Sequence, residues 1–306
     1  MINNKIIERM KVIIMKKKFM FAIFSLLLLP SVIYASEIDS CFTTGIGNKL
    51  TCEEYSKMQS LGFTDAMIRS MPDHVINSYL LEDIELVSVD RQISQSDVLF
   101  FDTNSGFLTP RDQASHTYGG RTMTTYVFYL SSSDTFKIAN YAIWDGEPSK
   151  KYYDINAAVF NTTGVAVVKN SQVAYQSYDE YKVTILGPSD VEFKTINYST
   201  NSTRYRFHAN GIAIAMNLTD PSGIGYDTAN HVSYLEYQVK KSVNNQINEL
   251  YVAGNYLHAK SSVSLEDFIG FDITSALDIT LLLRNIATTT YDDGNHVGLV
   301  LGDLDW

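Results

Sequence analysis

The chain reads as mainly β: an antiparallel β-sandwich or meander preceded by a small, disulfide-pinned helical segment. Three observations predict this. Beyond residue 83, apolar and polar residues alternate with a period of two in one short run after another. Between the runs lie clusters of Gly, Pro, Asn, Ser and Asp that turn the chain. The only two cysteines, Cys41 and Cys52, stand just ahead of a stretch with helical spacing.

The elements follow in chain order. Lys16-Lys17-Lys18, the apolar run Phe19–Leu29 and the small-residue exit Pro30 to Ser36 have the make-up of a secretory signal peptide. Residues 1–35 are therefore expected to be removed, with cleavage after Ala35 or Ser36 and translation starting at Met1 or Met15. An apolar run this short falls below the roughly 20 residues that span a bilayer. No Cys follows it directly, so no lipid attachment is expected there. The C-terminus, Gly302 to Trp306, carries neither an apolar tail nor a basic flank. The expectation is a secreted, extracellular chain without a stable membrane anchor, held to the cell surface only non-covalently if at all.

Residues 36–83 form the helical segment. In an exported chain, two cysteines at this spacing predict a Cys41–Cys52 disulfide. Thr51-Cys-Glu-Glu54 is a capping box that starts a helix carrying Tyr55, Met58 and Leu61. Leu61-Gly62-Phe63 is a corner. Thr64 caps a second short helix with Met67, Ile68 and Met71. Pro72 is placed as the first residue of a third, with Val75, Ile76, Tyr79 and Leu80 on its apolar face.

Residues 84–121 are assigned as a polar tether or loop, although Glu85–Asp90 alternates like a strand. Residues 122–306 form the β-rich domain. Its runs are Thr122–Leu130, Phe136–Trp144, Ile155–Phe160, Gly164–Lys169, Val173–Tyr178, Tyr181–Leu186, Arg204–His208, Ile212–Leu218 and Val232–Val239. Turn clusters at Ser131–Asp134, Asp145–Pro148, Asn161–Gly164, Gly187–Asp190 and Asp220–Gly225 separate them. Tyr251–Leu257 and Val297–Leu301 read as further strands, and 277–286 as either a helix or a buried strand.

Charge narrows the function. The whole chain carries a formal −10. Loss of residues 1–35 removes six Lys/Arg and one acid, leaving 18 basic and 33 acidic side chains and a net of −15. Such a surface repels phosphate backbones, so nucleic acid is not an expected partner. A cell-envelope component, a glycan or a protein is.

Three groups of motifs resemble those of a group of uncharacterised exported proteins of Gram-positive bacteria. The first is Leu50-Thr-x-Glu-Glu-Tyr55 with Leu61-Gly-Phe-Thr64 and Ile68-x-x-Met71. The second is Arg121-Thr-Met-Thr-Thr125 leading to Trp144-x-x-x-Pro148 and Tyr153-Asp-Ile155. The third is Tyr256-x-His258-Ala-x-Ser-Ser-Val-Ser-Leu265. Members of that group carry an Arg-Ser pair before the Tyr-Asp step, where this chain has Lys151-Tyr152. The resemblance implies export and a helical piece before a β-domain, and brings no activity.

No catalytic pattern stands out. The six histidines are scattered, without the His-x-x-x-His pair of zinc hydrolases. No Gly-x-Ser-x-Gly elbow is present. The chain is therefore read as a non-enzymatic protein that needs no cofactor. Tyr226-Asp227-Thr-Ala-Asn-His231 resembles Tyr291-Asp292-Asp-Gly-Asn-His296. Asp227, His231, Asp292 and His296 could ligate a metal if the two loops met; otherwise both are polar turns entering strands. Trp144, Tyr152 and Tyr153 are candidates for stacking on a sugar, against the alternative that Trp144 closes the core. Alternating strands over 165–218 also fit a β-pore-forming toxin or bacteriocin-like protein, as they fit any half-buried sheet.

Overall fold

The computed structural model describes residues 40–93, 121–144, 148, 151–185, 187–218, 224–242, 246–259, 295–301 and 306. The expected signal peptide, most of the expected tether, the ambiguous 277–286 stretch and Asp292 lie outside these residues.

The helical segment forms as its local signals dictate. Strands β1 (Ser40–Thr43) and β2 (Lys49–Thr51) pair antiparallel, and the Cys41–Cys52 disulfide ties β1 to the start of α1 (Cys52–Ser60). Thr51 and Glu54 close the capping box in both directions. Leu61-Gly62-Phe63 turns the chain, with Gly62 at φ +84°. A Cβ there would also press on the Tyr126 ring at 3.2 Å. Thr64 caps α2 (Asp65–Ser70). Pro72 is the N-cap of α3 (Asp73–Leu81), one residue earlier than its expected place inside the helix. An extended φ of −68° with ψ 156° suits the ring, and the helix begins one residue later.

The β-rich part is antiparallel throughout the described residues and forms two sheets. One has the order β10 (Tyr205–His208), β11 (Gly211–Asn217), β6 (Tyr153–Phe160), β13 (Leu250–Leu257), β14 (Asn295–Leu301). The other has the order β3 (Ile84–Ile93), β4 (Arg121–Leu130), β5 (Thr135–Trp144), β12 (Tyr226–Lys241), β8 (Val173–Thr184), β9 (Gly187–Tyr198). Short β7 (Val165–Val167) also pairs with β12. Residues 84–93, placed at the start of the tether, are thus a sheet strand paired with β4.

Two further strand assignments are corrected. The runs Val173–Tyr178 and Tyr181–Leu186 are not separate strands: residues 173–184 form one strand, β8, which ends at Thr184. Gly187–Asp190, taken as a turn, opens strand β9. Pro188 is tolerated because β9 is the sheet edge, and Asp190 adopts φ +52° beside a register shift. Turn-forming residues here mark a bulged edge rather than a reversal.

Alternation sorts the side chains as expected. Val127, Ile138, Leu235 and Tyr237 of the larger sheet meet Ala158, Phe160, Ile212, Ile214 and Val252 of the smaller one. On the other face of the larger sheet, Tyr126, Phe128, Tyr141, Tyr175 and Tyr234 pack under the helices, against Phe63, Met67 and Tyr79. The helices and that sheet therefore share one core. Lys137 is buried there, 2.8 Å from Glu82, with its ammonium 4.6 Å from the centre of the Tyr79 ring.

Between the sheets the apolar core is interrupted by a polar clasp. Asn140 Nδ2 donates to Asn156 Oδ1 at 2.8 Å and to the carbonyls of Ala157 (3.3 Å) and Asn255 (3.2 Å). Thr125 Oγ1 donates to Asn140 Oδ1 at 2.7 Å, and Asn156 Nδ2 donates to Ser233 Oγ at 3.0 Å. Gly254 makes room: a Cβ there would lie 1.9 Å from Thr125 Oγ1 and 2.4 Å from Asn140 Oδ1.

Gly254→Ala is therefore expected to lower unfolding stability by about 1–3 kcal/mol, the usual cost of overpacking, in a denaturant titration. Reduction of Cys41–Cys52 is expected to cost about 2–3 kcal/mol, seen as a lower midpoint in the presence of thiol.

Candidate functional site

The distinctive part of the larger sheet is one end of it. Val232 pairs with Ile143 of β5, but residues 226–229 of β12 pair with β8 alone among the described residues. With β9 on the other side of β8, this makes a three-stranded tongue. Six residues of β12 (226–231) lie beyond the last β5 pairing at Val232, about 20 Å of extended strand. Its root is polar and buried; its tip is apolar and exposed.

The root begins at a bulge. The β12 register shifts between Ala229 and Val232, and Asn230 takes φ +53°. Its Nδ2 donates to Asp179 Oδ2 at 2.9 Å. Asp179 also accepts both Arg69 nitrogens, at 2.8 and 3.3 Å, so helix α2 grips the tongue. The Arg69 guanidinium lies 5.0 Å from the centre of the Phe193 ring of β9. Gly45, in the disulfide-closed loop, backs onto that same ring, and its N–H donates to the Arg69 carbonyl at 2.8 Å.

On the other side Lys151 forms an ion pair with Asp227. Lys151 is therefore an anchor of the root. His231 is buried, stacks on Tyr178 at 5.4 Å, and bonds Thr228 Oγ1 through Nε2 at 3.1 Å. Among the described residues its Nδ1 has no hydrogen-bond partner. Burial, with Lys151 nearby, pushes its pKa down to about 4; Asp227 and Asp179 oppose this, and His258 adds to it.

Beside the root is a second buried cluster. The Asp154 carboxylate accepts from His258 Nδ1 at 3.0 Å, from the Ala259 N–H at 3.0 Å and from the Tyr256 hydroxyl. Burial and the Asp154 charge hold the Tyr256 phenol well above its ordinary pKa. Trp144 Nε1 donates to the Tyr256 oxygen at 3.2 Å, and Trp144 meets His258 edge to face at 4.7 Å. The Arg121 guanidinium lies 5.1 Å from the Trp144 ring centre and 5.2 Å from that of Tyr256.

The sequence-derived candidates are thus distributed as follows. Trp144 faces the interior and offers no open face to a sugar. Tyr152 and Tyr153 are half-buried, the latter with the Arg204 guanidinium 5.2 Å from its ring centre. Asp227 and His231 lie in strand β12, not in a turn before it. His296 lies in β14 of the other sheet, opposite Asn255. Among the described residues, no group of three or more His, Cys, Asp or Glu is placed to hold a metal ion.

The tip carries what the candidates did not include. Val183, Ile185, Val191, Ile224 and Tyr226 are exposed, five of the ten large hydrophobic side chains so placed among the described residues. Ile185 and Ile224 are fully exposed. Val183 N–H donates to the Gly225 carbonyl at 2.7 Å, which sets the two turns side by side. The signal was in the sequence: Ile185-Leu186-Gly187 and Gly223-Ile224-Gly225 put isoleucines where turns favour Gly, Asn and Asp.

No family model and no curated protein matches the chain. Among solved structures, it is similar to AvmM, which catalyses macrocyclization in alchivemycin A biosynthesis. The identity is 8%, covering 56% of this chain and 81% of that one, with a TM-score of 0.26. A pore forming protein shares 11% identity over 71% of this chain and 90% of its own, at TM-score 0.23. Clostridium perfringens delta-toxin shares 8% over 76% and 94%, at TM-score 0.22. TM-scores of this size assign neither family nor function to this chain.

The His231 geometry has a pH consequence. A histidine whose folded pKa lies below its unfolded value of about 6.5 stabilises the fold fully above that value. This contribution is lost as pH falls toward 4. Unfolding stability is expected to drop by about 3 kcal/mol between pH 7 and pH 4 from this group alone. In His231→Gln that part of the acid slope should disappear in denaturant titrations run across the same range.

Proposed function

We propose that this is an exported, non-enzymatic binding protein that attaches to a component of the cell envelope through the tip of its tongue. The exposed apolar tip on a rigidly rooted, three-stranded extension carries this reading. A patch of that kind on an otherwise acidic chain marks a contact surface. The root supports it, because partly buried ion pairs and hydrogen bonds hold the tip in one position and lower the entropic cost of binding. No helix among the described residues is long and apolar enough to cross a membrane.

The same root sets binding apart from the alternative of a pore. A pore-forming hairpin must leave its sheet, and β8 is held in this one between β12 and the edge strand β9. Tyr175 of β8 donates to Tyr141 at 3.2 Å and lies 3.3 Å from Ser70 of α2, all of them buried. Extracting β8 would open that network and the Asp179–Arg69 pair together.

The test is binding of residues 36–306 to whole Gram-positive cells and isolated cell wall, with dye release from liposomes measured in parallel. The expected outcome is saturable binding that falls about tenfold or more in the Ile185→Asp/Ile224→Asp double variant, without leakage. Leakage accompanied by oligomers would favour the pore. Turnover in a broad hydrolase panel would overturn the non-enzymatic reading.

A further inference from the structure

Resting on that reading, we infer that the component met by the tongue is a lipid surface of neutral headgroup charge, into whose interfacial layer the tip inserts.

The shape of the tip favours a lipid layer over a protein. Ile185 and Ile224 stand on neighbouring turns and are fully exposed, so the described apolar surface protrudes. A protein partner would have to supply a pocket for it; a headgroup layer yields to it. Tyr226, exposed and paired with Lys182 one step back from the tip, is placed like the aromatic residues that sit at membrane–water interfaces. The backbone is suited as well. In the tongue β8 bonds β9 on one side and β12 on the other, so its own amides and carbonyls need little water, while the outer edges of β9 and β12, which pair with no further strand there among the described residues, keep the tip in the hydrated interface.

Charge defines the lipid. The hairpin segment 182–194 carries Lys182 and Lys194 against Asp190 and Glu192, a formal charge of zero. Lys194 is already bonded to Glu192 at 2.7 Å. Exposed Lys182 is offset by Asp190 in the segment's formal charge, so the tip has no net positive charge to draw anionic headgroups, and a chain of net −10 is repelled by them. Zwitterionic lipid is the surface that apolar contact alone can hold. The same four charges confine the contact to the interface, on the order of 5–10 Å deep, short of a span.

Flotation with phosphatidylcholine vesicles, with and without phosphatidylglycerol, tests this. The wild-type chain is expected to float with pure phosphatidylcholine. Adding the anionic lipid should not strengthen binding, and salt should not weaken it. Ile185→Asp and Ile224→Asp should each reduce the bound fraction about tenfold. Phe207→Asp, which changes an exposed apolar side chain on β10 away from the tongue, should leave it unchanged. The changed isoleucines are fully exposed, so far-ultraviolet dichroism should confirm an intact fold. Absence of flotation, equal loss in all three variants, or binding only to anionic vesicles would each overturn the inference. If cells or wall still retain the protein in a tip-dependent way while vesicles do not, the envelope-binding reading stands and only the lipid assignment falls. If neither retains it, both fall.

Discussion

The hydrogen-bonded clasp between Asn140 and Asn156 sets the geometry of the sandwich. Hydrophobic packing brings two sheets together but does not choose their offset, because apolar contact has no direction. Asn140 does choose. Its amide reaches the side chain of one facing strand and backbone carbonyls of two. A buried amide left unbonded is costly, so a slipped register is excluded in a way that leucines could not achieve. The close approach requires Gly254, and the clasp divides the interior. On one side lies the large apolar core. On the other are Met123, Ala142, Trp144 and Tyr256, followed by the Asp154–His258 pair.

That division explains why polar chemistry gathers at one end. The strands that meet beyond the clasp carry Arg121, Asp154, Tyr256 and His258, and the same end gives rise to the tongue. Support arrives from the far side of the larger sheet. The disulfide closes a loop whose Gly45 seats Phe193, α2 supplies Arg69, and the buried tyrosines lock α3 to β12 through Tyr79, Tyr234 and Glu236. A small helical segment that could bury little by itself thus acts as a buttress, joined to the sheet by a shared apolar core and by directional bonds.

Much of this architecture was legible because it is local. The capping box at Thr51 and Glu54, the corner at Gly62, and the alternation in β4, β5 and β13 each depend on residues a few positions apart. The site was less legible because it is not local. Asp154 and His258 are separated by 104 positions, and the separate motifs that contain them carry no sign of their contact. Trp144 could be read as a sugar-stacking face because alternation marks two sides of a strand without saying that both are covered. Here the helices cover one and the second sheet the other. The turn at Ile185 was hidden by Gly187-Pro-Ser-Asp190, whose composition signals reversal while its edge position makes it a bulged strand.

The chain has two tryptophans, and the clasp separates them. Trp306 packs edge to face on Phe136 at 4.7 Å within the large core. Trp144 lies beyond the clasp, against His258 and the Arg121 guanidinium. Two indoles in such different surroundings give the molecule a built-in pair of optical reporters. One is surrounded by hydrocarbon and follows the packing of the sheets. The other is flanked by polar and charged groups that quench and shift emission, and it follows events at the root of the tongue. Loosening at one end of the molecule can therefore be told from melting of the whole by which emission changes first.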